Sequence, residues 1–308
     1  MKGDHDFEVI IIGGSYSGLS AAMALGRSLR KVLIIDSGKP CNRQTPHAHN
    51  FLTHDGKAPG EIASLARQQV EQYPTILFHE GLAVNGVPKD GGFAITTDAG
   101  EEFRGKKLLF ASGVKDLMPD LPGFAACWGI SVIHCPYCHG YEVRQEKTGI
   151  LANGHEAYHY GQLLRNWTQE LTIFTNGVST LTEEQHAALA MHDIPVVETE
   201  IAELLHRQVA LHDLLFVDGT TFPLRALYSK PAYVQHCPIP EQLGLELTEQ
   251  GLLQVDAFQD TTLANVLACG DCASPFRALS YAIATGTIAG AMLNHGLVLE
   301  AFDGGGKG

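Results

Sequence analysis

Phe7-Glu8-Val9-Ile10-Ile11-Ile12-Gly13-Gly14-Ser15-Tyr16-Ser17-Gly18 is the stretch whose reading decides the fold. Its first six residues are almost continuously apolar, as expected of a strand buried on both faces of a parallel sheet. After the glycines, Leu19 to Leu29 has helical spacing. A second apolar run, Val32 to Ile35, then ends at Asp36, eighteen residues past Gly18. Strand, glycine turn, helix, strand and acid make a dinucleotide-binding β-α-β unit. The glycines let backbone approach a pyrophosphate at a helix N-terminus, and the acid binds a ribose hydroxyl. Ser15 stands where the second glycine of G-x-G-x-x-G is usual, which narrows the gap over the backbone.

Downstream, Arg43, Gln44, His47, His49, Asn50 and His54 lie in a polar loop after Lys39-Pro40-Cys41. Three histidines so close could hold a metal, but polar side chains lining a ligand is the better reading. Residues 60–73 look helical. Residues 76–87 and 93–97 read as strands flanking the turn Pro88-Lys89-Asp90-Gly91-Gly92. Residues 107–110 form another buried strand, ending in Ala111-Ser112-Gly113. Pro119 and Leu121-Pro122-Gly123 then mark a crossing between domains.

The chemistry points to Cys135-Pro136-Tyr137-Cys138-His139-Gly140-Tyr141-Glu142. Two cysteines two residues apart can close a small disulfide ring. Pro136 is well placed to start a helix, whose dipole would favour a Cys135 thiolate, the form that attacks disulfides. His139, directly after the second cysteine, can move the proton that thiol chemistry requires. C-x-x-C also serves zinc sites, so the surrounding chain has to arbitrate.

That chain attempts the first fold again. Residues 149–152 are strand-like, 154–167 helical and 171–175 a strand, but Ala152, Gly154 and Ala157 occupy the three fingerprint positions. Eighteen residues past Ala157 stands Thr175, followed by Asn176, and neither is an acid. Between Lys147 and Arg207 the only lysine or arginine is Arg165. NADP(H) would find few of its usual handholds here. His155-Glu156-Ala157-Tyr158-His159 matches the zinc-protease pattern H-E-x-x-H, but it opens a helix directly after a strand and glycine turn, where the match reads as coincidence. Residues 183–193 look helical, with strands around 195–199, 208–218 and 224–234.

The closing segment, Val266-Leu267-Ala268-Cys269-Gly270-Asp271-Cys272, is a buried strand ending in Gly-Asp. A long helix is expected from about Arg277 to Leu293, and a disordered tail over residues 303–308. Cys269 and Cys272 form a second C-x-x-C, read as structural, as are Cys127 and Cys237. The 308 residues suffice for two domains, and 45% apolar with 18% charged residues is globular composition. A net charge of −13 argues against nucleic acid or an anionic membrane as partner, and no apolar run suggests a membrane span. Seven cysteines, an odd number, fit a catalytic pair plus inert thiols in a reducing compartment. With no leader pattern at the start, the expected location is cytoplasmic.

Taken together, the Gly13–Gly18 turn with Asp36, Ala111-Ser112-Gly113, the Cys135/Cys138 pair, and Ala268-Cys269-Gly270-Asp271 followed by Arg277-Ala278-Leu279 resemble the low-molecular-weight thioredoxin-reductase-type flavoproteins, nearly end to end. The resemblance implies an α/β chain of two Rossmann-like (three-layer ββα) nucleotide-binding domains, the second inserted into the first: 1–116 with 243–308, and 117–242. It implies FAD held by Gly13, Gly14, Ser15, Ser17, Gly18, Asp36, Ser37, Arg43, Gln44, Asn50, Ala83, Ala111, Ser112, Gly113, Gly270 and Asp271, with Ala278 and Leu279 near the flavin ring. It further implies that Cys138 faces the flavin, that Cys135 exchanges with substrate, and that the protein is a homodimer.

Two departures bear on activity. Such reductases usually carry aspartate after the second cysteine and an H-R-R-type run for NADPH; here His139 replaces the acid and the arginines are absent. Both features are closer to the dithiol-oxidase branch, similar to the enzymes that close the disulfide of gliotoxin or holomycin, and to NADPH-independent relatives. The expectation is an FAD-dependent oxidase of a small-molecule dithiol, with His139 or His134 as base. The alternatives are an NADPH- or ferredoxin-driven reductase of a thioredoxin-like protein, or a flavin-binding redox sensor.

Overall fold

Residues 7–12 form a strand because both of its faces are covered. In the computed structural model, which describes residues 6–304, Phe7–Ile12 pairs in parallel with Val32–Asp36 on one side and Glu102–Phe110 on the other. Val9 and Ile11 pack among Leu19, Ala22, Leu25, Ala289 and Leu293 of two helices, whereas Ile10 and Ile12 pack among Ile95, Leu108 and Phe110. This double burial is why the run carries no polar alternation. The sheet has seven strands, in the order Ile76–Glu80, Val32–Asp36, Phe7–Ile12, Glu102–Phe110, Gly92–Thr97, Ala83–Lys89, with Val266–Ala268 also paired to Glu102–Phe110. The long strand is shared: residues 102–105 pair antiparallel with Gly92–Thr97, while 108–110 pair in parallel with Val266–Ala268. One strand therefore feeds a β-meander layer and the parallel nucleotide-binding layer.

The chain divides into two compact units. The first comprises the chain up to Cys41, Gly60–Lys115 and the chain from Tyr233 onward; the second comprises Asn42–Pro59 and Asp116–Ala232. The second is thus inserted into the first. The chain leaves through Val114–Asp116 and returns through Tyr233–Gln235, which pair as a two-stranded ribbon. The return lies at Tyr233 rather than residue 243, and Asn42–Pro59 groups with the inserted unit, not with the chain around it.

In the second unit, Val196–Val197, Leu171–Phe174, Thr148–Leu151, Ala226–Ser229 and Val132–Ile133 form a five-stranded sheet, all pairs parallel. A separate antiparallel sheet of Ile201–Arg207, Ala210–Phe216 and Thr221–Pro223 covers a core around Phe124, Phe174 and Leu227.

Several expectations are corrected. Residues 76–87 are two strands, not one, because Gly81 N donates to Asp36 O (3.0 Å) and Leu82 N to Asp98 Oδ1 (3.1 Å), which turns the chain between them. Ile201–Arg207 was not anticipated. The last helix is Leu279–Gly304, longer than expected, so Asp303 and Gly304 are helical; residues 305–308 lie outside the described residues. That helix is long and apolar enough by length and composition to cross a membrane, contrary to the sequence expectation. It nevertheless packs on Tyr16–Arg27 so tightly that a Cβ at Gly286 would lie 2.1 Å from Ser17 O and one at Gly290 2.6 Å from Ala21 O. Such backbone approach is a core-helix contact that only glycine permits.

Candidate active site

Cys135 and Cys138 are bonded, with Cα atoms 5.3 Å apart. Cys135 is the N-cap of Pro136–His139, and the amides of Cys138 and His139 both donate to its carbonyl at 3.2 Å. The helix is a single turn, so the dipole expected to favour a Cys135 thiolate is far smaller than that of a long helix. The motif is instead fixed by packing. Tyr137 sets its ring edge-on to Trp167 (5.6 Å), and Gly140 lies so close that a Cβ would come within 2.9 Å of the same indole. Tyr160 OH donates to His134 O (2.9 Å), and the His134 ring stacks on Trp128 (5.6 Å, 24°).

His139 is held below the ordinary histidine range, chiefly by burial; His49 reinforces the shift and Glu142 opposes it. At neutral pH the ring is therefore uncharged and free to accept a proton. Glu142 Oε1 lies 3.5 Å from His49 Nε2, and His49 Nδ1 lies 3.5 Å from Asp55 Oδ1. Glu142 was not singled out from sequence, although its place three residues after His139 was the available signal. His49 was noted only as a polar loop residue.

In the first unit the glycine turn is a cradle that side chains would fill. Gly13 has φ +107°, and a Cβ there would sit 2.2 Å from Ala111 O; one at Gly18 would sit 1.9 Å from Gly13 O. Gly14 N donates to Asp36 Oδ1 (3.0 Å) and Gly38 N to Asp36 Oδ2 (3.3 Å), which fixes the acid and the neighbouring Ser37 at the strand end. Ser15 begins the helix Tyr16–Arg27 without capping it by its side chain, and that first turn carries no acid. The Ser112 hydroxyl, beside Gly113 (φ +66°), is buried without a hydrogen-bond partner among the described residues. Gly270 (φ +74°) closes on Ser17, and its amide donates to Thr285 Oγ1 (3.1 Å). Asp271 lies 3.5 Å from Arg277 Nε, with Ala278 and Leu279 following, half-buried. A close-packed glycine turn, an uncapped helix start and an orphaned hydroxyl fit a phosphate-bearing dinucleotide such as FAD. Ala83 is 2% exposed, its side chain in the apolar core. Arg43, Gln44 and Asn50 are exposed residues of Asn42–Pro59, which groups with the second unit.

The equivalent turn of the second unit is filled. Asn153 caps the helix Gly154–Leu164, and its Oδ1 accepts from Gly154 N (2.8 Å), Thr180 N (2.8 Å) and Thr180 Oγ1 (3.1 Å). Its Nδ2 donates to Val178 O (2.9 Å). Thr175 Oγ1 donates to Gly177 O (2.6 Å), and Asn176 Oδ1 accepts from Ile201 N (2.7 Å). The positions where a ribose acid would stand are thus committed to backbone.

The remaining motifs hold no second centre. Among the described residues no group of three or more His, Cys, Asp or Glu could hold a metal. His155 and His159 are both exposed, and Glu156 faces Lys230 at 3.8 Å. Cys269 and Cys272 are fully buried, and Cys272 Sγ donates to Cys269 O (3.2 Å) and Phe110 O (3.4 Å). Burial pushes the Cys272 thiol up to about 11, Cys237 up to about 12, and Cys127 and Cys269 up as well, so all four are inert at neutral pH.

The family model described as pyridine nucleotide-disulphide oxidoreductase matches residues 7–288. The thioredoxin reductase sirT of Leptosphaeria maculans is 31% identical over 305 residues, spanning 94% of this chain and 93% of that protein. The thioredoxin reductase aclD of Aspergillus oryzae is 31% identical over 300 residues, spanning 92% and 94%. A solved structure of an oxidoreductase from Agrobacterium tumefaciens matches with a TM-score of 0.89 at 38% identity, covering 95% of this chain and 99% of that one. The likeness runs through both units and the cysteine pair rather than through the first glycine turn alone, and on that ground the chain belongs to the pyridine nucleotide-disulphide oxidoreductase family.

Proposed function

We propose that this flavoprotein oxidises a dithiol to a disulfide at Cys135–Cys138. The observation that carries the reading is the contrast between a first helix start left uncapped and without an acid after its glycine turn and a second turn capped by Asn153. A substrate thiolate attacks Cys135 Sγ, the Cys135–Cys138 bond breaks, and its electron pair leaves on Cys138. The second substrate thiol gives its proton to His139 and attacks the substrate sulfur of the mixed disulfide, which releases Cys135 as the thiolate. Two thiols and one protein disulfide thus become one substrate disulfide and two protein thiols. Gly13, Gly14, Gly18, Asp36 and Ser112 would hold FAD, which would supply the acceptor for those two electrons on their way to dioxygen or another acceptor. His139 is preferred over His134 as base because the His134 ring is stacked on Trp128.

The substrate in this reading is a small-molecule dithiol, the protein a cytoplasmic homodimer, and NADP(H) no part of turnover. The thioredoxin reductases among the fungal relatives favour a second reading, a reductase of a thioredoxin-like protein. The two separate on flavin-loaded protein. The oxidase consumes two thiols per turnover of a model dithiol in air, NADPH leaves the flavin colour unchanged, and Cys135→Ser lowers turnover by about three orders of magnitude. Rapid bleaching by NADPH with no dithiol turnover would overturn the proposal.

A further inference from the structure

We propose that His49 is a positioning residue for this reaction: held between Asp55 and Glu142, it fixes Glu142 beside the redox motif and so sets how readily His139 accepts the thiol proton. The inference rests on the assignment of His139 as base, and it concerns a residue from a separate segment of the chain. His49 belongs to Asn42–Pro59, which groups with the inserted unit. The loop is tied there independently, by Thr45 Oγ1 donating to Gly129 O at 3.3 Å. Within the loop, Ala48 N donates to Lys57 O (2.8 Å) and Gly56 N to Ala48 O (2.8 Å), which holds the His49 backbone. The imidazole uses both nitrogens, one on each carboxylate, at 3.5 Å. A ring so placed bridges the two carboxylates and ties Glu142 to the loop.

The charged and titratable groups that bear on His139 are Glu142 and His49, and they act in opposite directions. Cys135 and Cys138 are bonded to each other and do not titrate while oxidised. Around Glu142 stand His49 and Tyr228; Tyr228 is 1% exposed and burial pushes its phenol far above neutrality, so it adds no charge. Around His49 stand Asp55, Glu142 and, 6.3 Å away ring to ring, His47. Arg144, the nearest arginine in sequence, is engaged instead over the Tyr141 ring at 3.9 Å. The carboxylate of Glu142 stabilises a protonated His139, and a charged His49 counters it.

The sign can be read directly. Removing Glu142's charge makes His139 harder to protonate, so in Glu142→Gln the acid limb of the dithiol kcat/KM profile moves to lower pH. Removing His49 leaves Glu142 uncountered, so in His49→Gln the limb moves to higher pH. We expect shifts of roughly half a pH unit each, the scale of one partly screened neighbouring charge. His49→Lys, which restores a permanent positive charge, should bring the limb back to or below its wild-type position. A contact that merely supported the fold would move the rate and the melting temperature without reversing sign between the two variants.

The same proteins are to be titrated by NMR of the His139 imidazole, assigned by its loss in His139→Asn. That readout needs no turnover. If no dithiol is oxidised by the wild type, the functional reading fails while the titration still decides this inference. Opposite displacements in Glu142→Gln and His49→Gln support it. Displacements of the same sign, or none in either variant, overturn it.

Discussion

The two strand–turn–helix units of this chain begin alike and differ at one position of the turn, Gly14 in the first and Asn153 in the second. In the first, Gly13 packs its backbone against Ala111 O, and Gly14, which has no side chain, turns its amide to the Asp36 carboxylate. The helix start that follows carries no side-chain cap and no acid in its first turn. In the second, Asn153 occupies the turn and spends its amide on Gly154, Val178 and Thr180. Asn153 Oδ1 takes the Gly154 amide at the helix start, a donor of the kind a phosphate accepts from at such a turn.

The hardest test of the comparison is Gly13→Ala. A Cβ 2.2 Å from a backbone carbonyl, at φ +107°, cannot be relieved by a rotamer change. The turn must move, and we expect protein purified without flavin colour and with no dithiol turnover, read by absorbance. Gly154→Ala is the control. There a Cβ would meet the Thr180 hydroxyl at 2.8 Å, at φ +56°, so the strain falls on a side chain. Flavin content should be unchanged and only the melting temperature should fall.

Asn153→Ala is expected to cost about 1–2 kcal/mol of stability, for a helix cap and a cluster of mostly exposed hydrogen bonds. Thermal melts measure it. Flavin content and dithiol turnover should hold, since neither depends on the second turn. Loss of flavin in this variant would mean that the two turns are not independent and would break the comparison.

How much of this was legible in the sequence follows the range of the contacts concerned. The first unit was readable because its determinants are local: a turn of six residues and an acid one strand later. The cysteine pair was readable for the same reason. Asn153 was not, because a missing glycine reads only as a weak fingerprint; that its side chain reaches Val178 and Thr180 depends on a contact 25 to 27 residues away. The loop Asn42–Pro59 read only as polar side chains lining a ligand, because the contact of His49 with Glu142 spans 93 residues of chain. Residues 76–87 read as one strand because nothing in their own pattern reveals that Asp36 O and Asp98 take the amides at Gly81 and Leu82.

Ser112→Ala should have a smaller effect, with opposite signs in the two forms of the protein. The hydroxyl is buried without a partner among the described residues. Removing an unsatisfied polar atom should stabilise the flavin-free protein by about 1 kcal/mol. If that hydroxyl is what receives the dinucleotide, flavin affinity should fall by roughly fivefold, measured by fluorescence titration of the apoprotein. A variant that binds flavin as tightly as the wild type would remove Ser112 from the cradle.

The smallest expected effect separates two reasons for the closed second turn. Glu156 sits in the first turn of Gly154–Leu164, where a carboxylate both favours the helix and repels a phosphate. If charge alone kept pyridine nucleotides away, Glu156→Gln would admit NADPH and the flavin would bleach on its addition. We expect it not to, because the Asn153 hydrogen bonds remain and Thr175 and Asn176 still face backbone groups rather than a ribose. The helix should lose at most about 0.5 kcal/mol, since the side chain is exposed and its partner Lys230 is 3.8 Å away at the surface. Bleaching by NADPH in Glu156→Gln, with the wild type unreactive, would reassign the closure from the asparagine that fills the turn to the charge beside it.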